Sequence, residues 1–108
     1  MSALTMSDLA APMRALRLLA ADFADLPAVN LGISRIYPGR LELSCHDGFD
    51  VFEAWREALA IPPEAVTHDE LDKDTRTLEA DVDFAGVRLR LIGYSCNYRQ
   101  VEFPKAVA

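Results

Sequence analysis

Cys45, His46, His68 and Cys96 are the residues of this chain best suited to nucleophilic or metal chemistry. A cysteine nucleophile needs a base within hydrogen-bond reach and a third group to orient that base. Cys45-His46 and Ser95-Cys96 supply the right residue types. On a strand, however, neighbouring residues point to opposite faces, so Cys45 and His46 would not share a site. Cys45 is in phase with Leu41 and Leu43, which predicts a buried thiol. A structural zinc site takes four ligands, usually from closely spaced Cys or His pairs, and the chain has no such pairs. Two buried thiols in a reducing compartment are the expected outcome.

Carboxylates are the other candidate ligands. Asp69, Glu70, Asp72 and Asp74 lie close together, but a calcium loop needs fixed ligand positions and a central glycine, and this stretch has neither. It reads as a solvated acidic loop. Glu53 and Glu57 share a helix face with nothing to mark a pocket. A glycine-rich phosphate loop, a serine nucleophile elbow and a His-Glu-x-x-His motif are all absent from the sequence. No cofactor or metal is therefore expected. The net charge of −6 opposes binding to phosphate backbones, so direct nucleic-acid binding is not expected either. The same charge suits solubility, a basic protein partner, or imitation of a nucleic acid.

The elements that must position these residues are read from periodicity. Thr75 to Cys96 carries the firmest signal. Leu78, Ala80, Val82 and Phe84 alternate with polar residues, and Val87, Leu89 and Leu91 alternate with Arg88 and Arg90. A two-residue turn at Ala85-Gly86 sets Asp83 against Arg88 and Asp81 against Arg90 on one face. It sets Val82 against Leu89 and Ala80 against Leu91 on the other, so charge and burial agree on one register.

Upstream, a helix capped near Ser7 runs to about Asp25 with an apolar stripe of Leu9, Met13, Leu16, Ala20 and Phe23. Pro12 belongs in its first turn. A hairpin follows, turning at Tyr37-Pro38-Gly39-Arg40, with a bulge near Ser34-Arg35 that sets Ile33 against Leu43. Asp47 is placed to cap a second helix, whose core face is Phe49, Phe52, Trp55 and Leu59. Glu53, Arg56 and Glu57 are assigned to water.

The order helix-hairpin-helix-hairpin predicts an α+β two-layer fold: a four-stranded antiparallel sheet with two helices on one face. Residues 1–108 are read as one domain, with 1–7 frayed, 64–74 an acidic loop and 97–108 a tail. The chain has no apolar run near the ~20 residues that span a bilayer and no secretory leader, so a cytoplasmic protein away from membranes is expected. On the sheet's outer face, Glu79, Asp81, Arg88, Arg90, Ile92 and Tyr94 form the candidate interaction surface.

The two short hairpins, Phe52-Glu-Ala-Trp55 and Phe84-Ala-Gly-Val87 resemble small uncharacterised proteins of phages and integrated mobile elements of high-GC bacteria. That resemblance spans about residues 7–96 and implies no activity. Element order and acidity are also similar to the type III secretion chaperones, small acidic dimers that hold secreted proteins, though their extra strand and C-terminal helix are not evident. Together these features lead to the expectation of a non-enzymatic protein–protein interaction or accessory module, a homodimer with a protein partner, a basic one suiting its charge. A small thiol-dependent enzyme or ligand-binding domain using Cys45, His46 or Cys96, and an acidic nucleic-acid mimic or chaperone-like protein, are the alternatives.

Overall fold

The computed structural model describes residues 3–70 and 75–96. The expected tail (97–108), the end of the expected acidic loop (71–74) and the first two residues lie outside the described residues.

The fold begins at Thr5, earlier than the expected fraying over 1–7 allows. Its backbone N–H donates to the Asp8 carboxylate at 2.8 Å, while the Asp8 N–H donates to the Thr5 carbonyl at 2.9 Å. This reciprocal pair satisfies donors that a helix start leaves open, so Thr5 rather than Ser7 is the cap. A 3₁₀ turn, Met6–Leu9, leads into α1, Ala10–Asp22, and places Pro12 in the first helical turn, where its missing N–H is harmless. The buried stripe of α1 is Pro12, Ala15 and Leu19, rotated from the expected Leu9/Met13/Ala20 line. Weighting large residues misdirected that line: Ala15 is fully buried because a small side chain lets the helix approach the sheet.

β1 (Asn30–Ser34) and β2 (Tyr37–Cys45) form the first hairpin, but the turn is Arg35-Ile36, not Pro38-Gly39. The register sets Leu31, not Ile33, against Leu43. Between the Gly32–Glu42 and Ser34–Tyr37 pairs, one residue of β1 faces four of β2. Pro38 and Gly39 sit in this bulge, which tolerates a residue without an N–H as readily as a turn does.

α2, Phe49–Ala58, follows Gly48 at φ 124°, and no side chain caps it, so Asp47 does not play the expected role. Phe52, Trp55 and Leu59 enter the core as their spacing requires. Arg56 does not face water. It is 8% exposed, donates through Nε and Nη2 to both Glu53 carboxylate oxygens at 3.0 and 2.9 Å, and donates through Nη1 to the Ile61 carbonyl at 2.6 Å. The charged fork thus satisfies a carbonyl of the segment that follows the helix.

A short 3₁₀ turn (Pro63–Ala65) leads to β3 (Thr67–Glu70); residues 66–68 read from the sequence as a short strand or an extended connection, and the strand extends into Asp69 and Glu70, where loop was expected. β4 (Thr75–Phe84) and β5 (Val87–Cys96) form the second hairpin in the register read from the sequence, through Ala85 and Gly86 at φ 51° and 85°. Positive φ at both central residues gives the turn a twist that matches the strands.

The sheet order is β1-β2-β5-β4-β3. The fold is α+β with two helices, but the sheet is five-stranded and mixed rather than four-stranded and antiparallel. The difference lies at its centre, where β2 and β5 run parallel with Leu41 beside Leu89 and Leu43 beside Leu91. Parallel neighbours need a long crossover, here the stretch carrying α2, β3 and β4. Both helices cover the same face, and Phe52, Leu41, Leu43, Leu89 and Leu91 are fully buried between the layers. Burial of each contributes about 1.5–3 kcal/mol before entropy is charged against it.

Candidate functional site

The outer face of the sheet carries the residues singled out from the sequence. Arg88 meets Asp83 at 2.9 Å, and both are well exposed. Asp81 stands opposite Arg90 as expected, but the Arg90 side chain reaches diagonally to Glu79 at 2.9 Å and across the parallel pair to Glu42 at 3.9 Å. The parallel pairing of β2 with β5 sets Glu42 directly beside Arg90. Ile92 is only 5% exposed and lies apart from the main core, so it offers little surface to a partner. Tyr94 stacks on His46, with ring centroids 4.7 Å apart and planes within 3°. This face is therefore mostly paired charge, each pair worth little in water, although Arg90 Nε is buried without a hydrogen-bond partner and Asp81 enters no ion pair among the described residues.

The thiol chemistry is separated by the pleat. Cys45 is fully buried on the helix-covered side, whereas His46 is exposed and stacks on the outer side. Burial, with the Asp47 carboxylate nearby, pushes the Cys45 thiol up to about 11. It stays protonated near neutrality and is a poor nucleophile. His68 lies exposed on β3, and the Cys96 side chain lies outside the described residues. Among the described residues, no three of His, Cys, Asp and Glu gather as a metal site needs. No described helix is long and apolar enough to cross a membrane.

The feature that sequence reasoning missed is the outer edge of β1, which pairs with no further strand among the described residues. The two edges of the sheet differ sharply. β3 reads Thr-His-Asp-Glu with all four residues exposed, and charge at an edge discourages pairing with another strand. β1 reads Asn-Leu-Gly-Ile-Ser without a charge. Leu31 is 50% exposed, and the adjoining turn presents Ile36 at 71% and Tyr37 at 52%. Behind Leu31 lies an apolar groove of about 340 Å³ between α1 and β1, walled by Leu16, Ala20, Phe23 and Trp55. Trp55 shapes it from below. Its Nε1–H donates to the Pro27 carbonyl at 2.9 Å and its ring meets Phe23 at 6.0 Å, fixing the chain that enters β1.

Charge is partitioned the same way. Residues 1–45 carry four acids and four arginines, whereas 46–96 carry twelve acids against five bases. Among the described residues, the arginine ion pairs involve Arg56, Arg76, Arg88 and Arg90. Arg35 and Arg40 enter none, and neither do Asp22 and Asp25. β1 itself carries no charge, while Asp47 lies beside its first residue, lining a cavity with Ala28, Val29 and Asn30. An exposed Leu within a hairpin is weak evidence by itself; knowing that β1 sits at the edge is what gives it meaning.

No protein-family model, curated protein or solved structure matches the chain.

Proposed function

We propose that the chain is a non-enzymatic protein–protein interaction module whose working surface is the β1 edge with the apolar groove behind it. The observation that carries this reading is the contrast between the edges: β3 is shielded by exposed charge, and β1 is uncharged and apolar. An open edge supplies backbone donors and acceptors along its length, and a groove beside it gives apolar side chains somewhere to go. The surface therefore suits an extended, uncharged segment that adds a strand to the sheet. Enzymatic use of Cys45 receives no support from a thiol buried away from His46 and held protonated. Most of the charge on the outer face is paired, Arg88 with Asp83 and Arg90 with Glu79 and Glu42.

The test is affinity capture from a lysate of the native host with the wild-type chain, a Leu31→Lys variant and a His68→Lys variant as control. Specific partners should bind wild type and the β3 control and be lost with Leu31→Lys. Capture that is indifferent to Leu31→Lys removes the β1 edge from the function.

A further inference from the structure

We propose that residues 97–108 fold back across the outer face of the sheet and cover Ile92 and Thr77 with Val101 and Phe103. The inference is independent of the β1 edge. Ile92 and Thr77 are 5% and 3% exposed, although they stand on the face that the helices leave open. Register fixes their side. Thr77 pairs with Tyr94 and Glu79 with Ile92, so all four share the face of the Arg90–Glu79 ion pair. Leu78 and Gly93, one residue along, belong to the face where Phe52 packs. Ile92 accordingly has no place in the core cluster that the helices build. Side chains on an uncovered face of an antiparallel pair stand in water. Two polar atoms of this face repeat the observation: Thr77 Oγ1 and Arg90 Nε are buried without a hydrogen-bond partner. Together these residues mark a covered patch.

The chain itself must supply the cover, and its geometry selects the segment. Residues 71–74 link β3 to β4, whose ends pair at Glu70 and Arg76. Four residues that leave one strand and return to its neighbour extend about two residues, or ~7 Å. Ile92 lies opposite Glu79, four residues in from Thr75 and so about 13 Å away. Residues 1–2 precede the turn into α1, on the other layer. Residues 97–108 do reach. They follow Cys96, four residues beyond Ile92, and a turn with three or four extended residues brings Val101 and Phe103 back over the patch at ~3.3 Å per residue. β5 already has β2 and β4 as neighbours, so the segment crosses the face instead of adding a strand. Val101 and Phe103 are two apart, and an extended chain turns both to one side. Charge agrees. The segment's bases, Arg99 and Lys105, outnumber its one acid, Glu102. The face carries Glu42, Glu79, Asp81 and Asp83 against Arg88 and Arg90, and Asp81 enters no ion pair among the described residues.

Nuclear Overhauser contacts to the methyl groups of Ile92 and Thr77 in the full chain test this, and cross-peaks from Val101 or Phe103 are the expected result. Val101→Ser with Phe103→Ser should lower the thermal midpoint by roughly 5 °C or more and speed amide exchange in residues 76–79 and 90–94. Ala106→Ser, the control, should change neither. The contact measurement needs no variant and stands if the double variant fails to fold. Absence of any contact between residues 97–108 and Ile92 overturns the inference, and so does a double variant as stable as wild type. A mixture of isotope-labelled and unlabelled chains separates one further case: contacts seen only between chains hand the cover to a second copy and overturn folding back within one chain. None of these outcomes bears on the β1 edge, whose own test is capture with Leu31→Lys.

Discussion

Gly93→Ala measures how closely α2 sits on the centre of the sheet. Gly93 lies on β5 beside Cys45 of the parallel neighbour, on the helix-covered face. A methyl there would stand 2.9 Å from Phe52 Cδ2, 3.0 Å from its Cβ and 3.1 Å from its Cγ. Phe52 is fully buried, and its Cβ is tied to the helix backbone, so it cannot swing clear. Overpacking of this kind costs about 1–3 kcal/mol. The unfolded chain gives some back, because Ala has fewer states to lose than Gly, by about 0.4–1 kcal/mol. The clash wins, leaving a net loss of about 1–2 kcal/mol. At roughly 4 °C per kcal/mol for a chain of this size, the midpoint should fall by about 4–8 °C. Thermal and urea unfolding followed by Trp55 fluorescence read this out. Gly39→Ala is the internal control: a methyl there meets nothing within 4 Å, so only the entropic gain remains and stability should hold or rise by about 0.4–1 kcal/mol. In a Phe52→Ala background most of the clash is gone, and Gly93→Ala should be milder than in wild type. A Gly93→Ala protein as stable as wild type would refute the seating of α2 on β5 at this residue.

Two further consequences concern protonation. Cys45, raised to about 11 by burial, should resist a thiol reagent at neutral pH in a Cys96→Ala background and react on unfolding. The fold holds the protonated thiol, so its contribution is complete below about 9 and fades as pH rises through about 11; alkaline unfolding should flatten over that window in Cys45→Ala. The hydrogen bonds from Arg56 hold the Glu53 carboxyl below its ordinary 4.5. Stability from that pair is therefore present above 4.5 and lost as pH falls through the lower folded value, and Glu53→Gln should remove this acid-side slope. Arg56→Met should lower the urea midpoint more than Glu53→Gln does, because it also strands the Ile61 carbonyl.

The second hairpin was legible to the residue, because two independent patterns, charge and burial, agree only in the Asp83–Arg88 register. The first hairpin was not. Leu31 and Ile33 share a phase, so alternation alone cannot decide which of them opposes Leu43, and Pro38-Gly39 serves a bulge as well as a turn. The face of α1 was misjudged because Ala15 and Pro12 pack closely where Met13 and Leu9 were favoured for size. Arg56 was given to water because its partner carbonyl, Ile61, lies beyond the helix end and outside any helical period. Residues 66–68 read equally as a short strand or an extended connection; Asp69 and Glu70 read as loop because acids disfavour strands on average, yet an edge strand exposed on every residue can carry them. The parallel pairing of β2 with β5 left no local mark. Leu41, Leu43 and Cys45 would read the same beside an antiparallel neighbour.

That central pairing also decides which part of the chain meets the outside. By taking the place beside β2, β5 leaves β1 with one neighbour among the described strands and makes it their edge. The β4–β5 hairpin carries β3 to the far side, where its acidic residues shield the other edge. If β1 had lain inside the sheet, Leu31 would be core and Ile36 and Tyr37 a buried turn, and their exposure would be a defect. At the edge, the same residues form a surface whose backbone meets no further strand among the described residues, with a groove supported by Trp55 behind it. The residues that looked chemical in the sequence, Cys45 and the Arg–Asp ladder, are absorbed by packing and by one another. The short apolar strand that looked merely structural is what the topology leaves open.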